Sequence, residues 1–202
     1  MKRPVMKALS FALAIGSAAL PSTASAGIFV YTASLSGPNE SPANASPGIG
    51  SVRVTWNDVL KTMRVEATFS GLTGTTTASH IHCCTATPGV LTAGVATMTP
   101  SFAGFPLGVT SGSMDQTYDM TQSSSWNAAY ITANGGTTAS ATSAFFAGMD
   151  AGKAYFNIHT STFGGGEIRG FLTAVPEPST VVLMAAGMLA LIPVARRRRT
   201  NV

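Results

Sequence analysis

The sequence predicts an all-β fold, a Greek-key β-sandwich or barrel of the immunoglobulin-like or superoxide-dismutase-like kind. Three observations lead there. Thr, Ser, Gly and Val are abundant while charged residues make up only 10% of the chain, a composition suited to pleated, half-buried surfaces. Short stretches of strict apolar/polar alternation recur between Gly- and Pro-marked turns. No long amphipathic helix and no internal repeat is found.

The elements follow in chain order. Ile28–Leu35 is a first strand, ended by Ser36, Gly37, Pro38 and Asn39. Pro42, Pro47 and Gly48 mark an irregular loop. Ile49–Trp56 alternates, with Val52, Val54 and Trp56 on one face and Ser51, Arg53 and Thr55 on the other. Asn57 and Asp58 begin a turn into the clearest half-buried strand. There Met63, Val65, Ala67 and Phe69 alternate with Arg64, Glu66 and Thr68, so the two strands should form a hairpin. Ala78–His82 is a short strand. Residues 85–138 are Gly-, Ser- and Thr-rich and resist assignment, although Trp126–Ile131 suits a helical turn. Ser140–Met149 suits a short helix stopped near Gly152. Ala154–Thr160, a glycine turn at 164–166, and Glu167–Thr173 complete seven or eight strands.

Both ends read as targeting segments. Lys2, Arg3 and Lys7 precede the apolar run Ala8–Leu20. Ala24, Ser25 and Ala26 form a small-residue site, so residues 1–26 are a secretory signal that signal peptidase removes between Ala26 and Gly27. At the other end Pro176, Glu177 and Pro178 precede an apolar run from Val181 to Ala195 and then Arg196, Arg197, Arg198 and Arg199. That order describes a short membrane helix with a basic stop. The working domain is therefore residues 27–174, followed by a sorting segment over 175–202. The net charge of +4 resides in these ends. Between Gly27 and Ala174 five basic residues face seven acidic ones, so no nucleic-acid partner is expected.

The chain's three histidines are the strongest chemical signal. His80 and His82, one residue apart, share a strand face, while Ile81 points to the core. His159 shares its own face with Tyr155 and Asn157, opposite Phe156 and Ile158. All three are expected on outward faces. If the strands are neighbours, His80, His82 and His159 form a metal site for copper or zinc, because neutral imidazole suits both. Cys83 and Cys84, the only cysteines, leave three outcomes open: a vicinal disulfide, intermolecular bridges, or ligation by Cys84 beside His82. Glu167 and Arg169 share a face, and a weak surface ion pair between them is expected. No Ser-His-Asp order, phosphate-binding glycine loop or paired carboxylate is apparent, so neither catalytic residues nor an organic cofactor are expected.

The tail resembles the PEP-CTERM sorting signal of Gram-negative bacteria, with Pro176, Glu177, Pro178, the apolar run and the arginine cluster in order. The resemblance implies an exosortase partner, transient inner-membrane anchoring, and delivery to the cell surface or extracellular matrix. Within the domain, Tyr31–Glu40, Ser70–Gly74 with Ala78–His82, Tyr155–Thr160 and Gly166–Leu172 resemble the CHRD (chordin-type) domain over about residues 28–173. This resemblance implies an extracellular all-β binding or structural module, with exopolysaccharide or surface proteins as partners and no enzymatic activity. Chordin's own ligand is not carried over, since bacteria lack that signalling pathway. Gly71–Gly74 followed by His80 and His82 is distantly similar to the copper-ligand strand of copper/zinc superoxide dismutase. Three histidines cannot furnish that family's two-metal centre, so the similarity implies at most a mononuclear site.

Overall fold

The computed structural model describes residues 27–176. The signal segment, its cleavage residue Ala26, and the helix and arginine cluster expected after residue 180 lie outside the described residues.

The described residues form eight strands and two α-helices: β1 (Ile28–Ser36), β2 (Ile49–Asn57), β3 (Thr62–Ser70), β4 (Thr76–His82), β5 (Gly112–Asp119), α1 (Ala128–Ala133), α2 (Thr138–Asp150), β6 (Tyr155–Thr160), β7 (Ile168–Phe171) and β8 (Thr173–Ala174). The all-β class holds as one curled antiparallel sheet, a half-barrel, in the order β4-β6-β7-β1-β2-β3-β5, with β8 added to β1. The predicted hairpin pairs Asn57 with Thr62 and Ile49 with Ser70. After β3 the chain crosses to the far edge for β4 and returns to lay β5 beside β3. Residues 108–110, leading into β5, bond to residues 72–76, leading into β4, through Thr76 N to Val109 O and Gly108 N to Thr76 O, each 2.8 Å. The two edges are thereby drawn toward each other.

The inner face carries the alternation read from the sequence. Val54, Met63, Val65, Ile81, Phe156, Ile158 and Ile168 are fully buried. Helix α2 covers part of this face and stacks Phe146 on Trp56 with ring centroids 3.8 Å apart. Its start is fixed by Thr137 and Ser140, which exchange side-chain and backbone hydrogen bonds as a capping box. Helix α1 begins where Asn127 accepts from Ala129 N. Both helices start within two residues of their predicted positions.

Strand β5 is the element the sequence does not reveal. Its buried residues are Met114 and Tyr118, four apart, and Gln116 occupies the inward position between them opposite Val65. An apolar spacing of four does not carry the period of a strand.

Glu167 and Arg169 depart from expectation. Both are buried, and neither pairs with the other. The Glu167 carboxylate accepts from Ser46 Oγ and Thr160 Oγ1, each at 2.6 Å, and from the backbone N–H groups of Thr73 (2.5 Å) and Gly74 (3.1 Å). Burial pushes its pKa up, but these donors outweigh it and hold the carboxyl below its ordinary value. Arg169 lies over Tyr155, 4.7 Å from the ring centroid, and donates to the carbonyls of Asn39 and Leu91. Parity along a strand gives the face of a residue and not its partner, and loops supply the partners here. Gly170, between Arg169 and Phe171, has no room for a side chain, because a Cβ there would collide with the carbonyl of Ser34.

Because four donors converge on one buried carboxylate, Glu167→Ala should destabilise the domain by on the order of 3 kcal/mol. Glu167→Gln should cost nearly as much, since an amide cannot accept from all four. Urea unfolding followed by tryptophan fluorescence measures both; a wild-type midpoint in either variant would contradict the role given to this side chain.

Candidate metal centre

Strand pairing decides what the three histidines can do. β4 lies antiparallel to β6, with Ala78 opposite His159, His80 opposite Asn157, and His82 opposite Tyr155. Opposed residues share a face, so all three imidazoles project from one side in adjacent rows. Ring centroids are 5.3 Å apart for His80 and His159, and 5.9 Å for the other two pairs. One nitrogen from each ring lies within 4.8 Å of the other two.

The rings are not solvent-facing as expected. His80 and His82 are 7% and 8% exposed, because residues 93–102 run along the free edge of β4 and turn the carbonyls of Ala93 and Pro100 onto the rings. This segment bonds to β4 through Ala96 N to Ile81 O and Phe102 N to Ser79 O. It also sets the tautomers. A backbone carbonyl only accepts, so each ring nitrogen facing one carries the proton. His80 Nε2 donates to Pro100 O (2.7 Å), His82 Nδ1 to Ala93 O (2.9 Å) and His159 Nδ1 to Gly164 O (3.0 Å). The remaining nitrogens are His80 Nδ1, His82 Nε2 and His159 Nε2. They bear lone pairs, are buried, and have no hydrogen-bond partner.

Burial lowers the pKa of all three rings despite these hydrogen bonds, and His82 falls to about 4. The site is thus a set of neutral imidazoles at neutral pH. Each ring keeps one unpartnered nitrogen and anchors its opposite N–H on a carbonyl, the arrangement that orients imidazole toward a metal ion. A metal ion at about 2.0–2.1 Å from each nitrogen requires them roughly 3.3–3.6 Å apart, so the rings need only close on one another. Three nitrogen donors suit zinc or copper, whereas no carboxylate oxygen in the group favours calcium or magnesium.

Neighbours hold the rings in place. Tyr155 stacks on His82 at 4.7 Å, and Arg169 covers the other side of Tyr155. Asn157 and Glu40 bring two further orphaned acceptors nearby, Oδ1 and Oε1. Glu40 is pushed up to about 7 by burial, with Arg169 opposing. Glu40 and Arg169 carry no functional signal in the sequence, because a loop residue and an expected surface pair bear no mark of burial. Cys84 does not join the histidines. Cys83 and Cys84 form a vicinal disulfide, one of the outcomes left open, and both sulfurs lie against Gly148 of α2, where a Cβ would meet them.

The family model of the CHRD domain matches residues 31–172, and that of the PEP-CTERM protein-sorting motif matches residues 174–199. No curated protein and no solved structure matches the chain.

The depressed histidine pKa values fix a sign for acid stability. Rings that stay neutral in the fold titrate near 6.5 when unfolded, so the unfolded chain takes up protons first as pH falls. The histidines' contribution to the thermal stability of the metal-free protein should be full above about pH 6.5 and decline as pH falls toward about 4, while Glu40, pushed up to about 7, works in the opposite sense over that window. In His82→Gln this part of the decline should be smaller. Melting temperatures across that window provide the check.

Proposed function

The chain belongs to the CHRD-domain family and carries a PEP-CTERM sorting signal, which makes it an exported protein processed by an exosortase, and we propose that its domain binds one copper or zinc ion through His80, His82 and His159. The observation that carries this reading is the convergence of three buried, unpartnered imidazole nitrogens, each opposed by an N–H tied to a backbone carbonyl. Leaving three such acceptors dry and unpaired is costly, and one cation satisfies all of them. The ion would be held by neutral ligands from two adjacent strands, in a site bordered by residues 93–102. It would serve metal handling, structure or redox chemistry at the cell surface.

Metal analysis of the exported protein, purified without affinity-tag histidines, is the test. About one copper or zinc per chain is expected, with loss in the His80→Ala/His82→Ala variant. Metal added at 100 times its Kd should stabilise the wild type by about 2.7 kcal/mol and leave the variant unmoved. Substoichiometric metal with no thermal shift would refute the proposal.

A second reading, of a non-enzymatic matrix or adhesion module, is favoured by the outer face of the same sheet. One cross-strand row runs from the histidines as His82, Tyr155, Phe171, Ser34, Ser51, Thr68 and Ser113. Its far part lines a groove of about 710 Å³ together with Thr32, Arg53, Glu66, Asp115 and Thr173. Hydroxyls and one aromatic ring suit a polyhydroxyl chain such as exopolysaccharide. Co-sedimentation with the host's own exopolysaccharide should fall for Phe171→Ala/Ser51→Ala. Equal retention of wild type and variant would remove this face from consideration.

A further inference from the structure

The large exposed apolar residues are not scattered evenly over the domain. Ile28, Phe29, Val59, Leu60 and Val175 are 41–66% exposed, and the register puts them at one end of the sheet. Ile28 pairs with Asn57, which opens the β2–β3 turn, so Val59 and Leu60 form the tip of that turn beside the start of β1. The turn is tightly built, since Asn57 Oδ1 accepts from both Val59 N and Leu60 N. A turn tip is ordinarily polar, and this one presents two aliphatic side chains to the outside. Val175 lies alongside, because β8 runs antiparallel to β1 and Val175 N donates to Val30 O at 2.8 Å. A cleft of about 320 Å³ lined by Ile28, Phe29, Val30, Val175 and Pro176, with Arg53 and Asp150 also on its wall, joins these residues.

The described chain begins and ends at this same pole. Gly27 N donates to Asp58 Oδ1 in the turn, and Pro176 leads into the sorting motif matched over 174–199. Residues 181–195 are apolar and four arginines follow, the sequence order that a sorting signal processed at the membrane requires. Only Glu177 to Thr180 separate Pro176 from that apolar run, at most about 3.6 Å of chain each. Four residues reach at most about 14 Å, so the domain stays close to whatever receives the run.

From the position of both exits and the apolar collar around them, we infer that this pole rests on the lipid surface of the membrane before the tail is cut, with Val59 and Leu60 inserted among the lipid headgroups. The partner is a bilayer and not a protein, because the collar surrounds the point where the chain enters the bilayer. The orientation also assigns the histidine cluster a direction. Its rows align with Ser34 and Ser36 at the other end of β1, six and eight residues or about 20–27 Å from Ile28. The candidate metal centre therefore faces away from the membrane.

The test uses the chain exported in a host lacking exosortase, which keeps its tail. It is reconstituted in vesicles of phosphatidylethanolamine and phosphatidylglycerol. A polarity-sensitive fluorophore is placed at Leu60→Cys or, at the opposite end, at Leu107→Cys; Cys83 and Cys84 are bridged and do not react. Circular dichroism verifies that both variants are folded. The Leu60→Cys probe should shift to the blue and lose most of its emission to brominated lipid, and the Leu107→Cys probe should do neither. Equal response at both positions, or response at neither, would overturn the inference. Shielding at position 60 that requires added exosortase would also overturn it, by making the enzyme the occupant.

Discussion

The candidate centre depends on one buried charge. Glu167 sits at the end of the β6–β7 hairpin and has no solvent to satisfy its carboxylate, so the fold must bring donors to it. Those donors are the backbone that leads into β4, the hydroxyl of Thr160 that ends β6, and Ser46 of the β1–β2 loop. Thr160 adjoins His159, and Thr73 and Gly74 lead directly into the strand of His80 and His82. A single anion thus ties together the ends of the two paired strands that present the imidazoles.

A second layer of organisation is built on that register. Three carbonyls, from Ala93, Pro100 and Gly164, take the ring protons and leave one unpartnered nitrogen on each ring. Tyr155 and Arg169 continue the stack outward from His82. The geometry is that of neutral nitrogen ligands set in advance, with little reorganisation needed to receive a cation.

Much of this was legible in the sequence. Alternation locates β2 and β3, and parity and turn residues locate β1 and β6, each to within one residue; parity also puts His159 with Tyr155 and Asn157 and the H-x-H pair on one face. Other features were not legible, for physical reasons. β5 buries only Met114 and Tyr118, which breaks the period of two. The wall beside the histidines comes from a Gly- and Thr-rich segment whose hydrogen bonds run through backbone, so no side-chain pattern announces it. The expected Glu167–Arg169 pair does not form; strand parity is blind to loops, and most partners of both side chains lie more than 70 positions away. The targeting segments were read from the sequence, and the match to the sorting motif supports the C-terminal one.

Strand β8 has a consequence of its own. Leu172 is the last core residue, and the next three are stitched to β1 by Thr173 Oγ1 to Thr32 O and Val175 N to Val30 O. Many surface proteins stand off from their point of attachment on a flexible stalk. Among the described residues no slack chain of this kind follows Leu172, so the direction in which the chain leaves the domain is set by β1 itself.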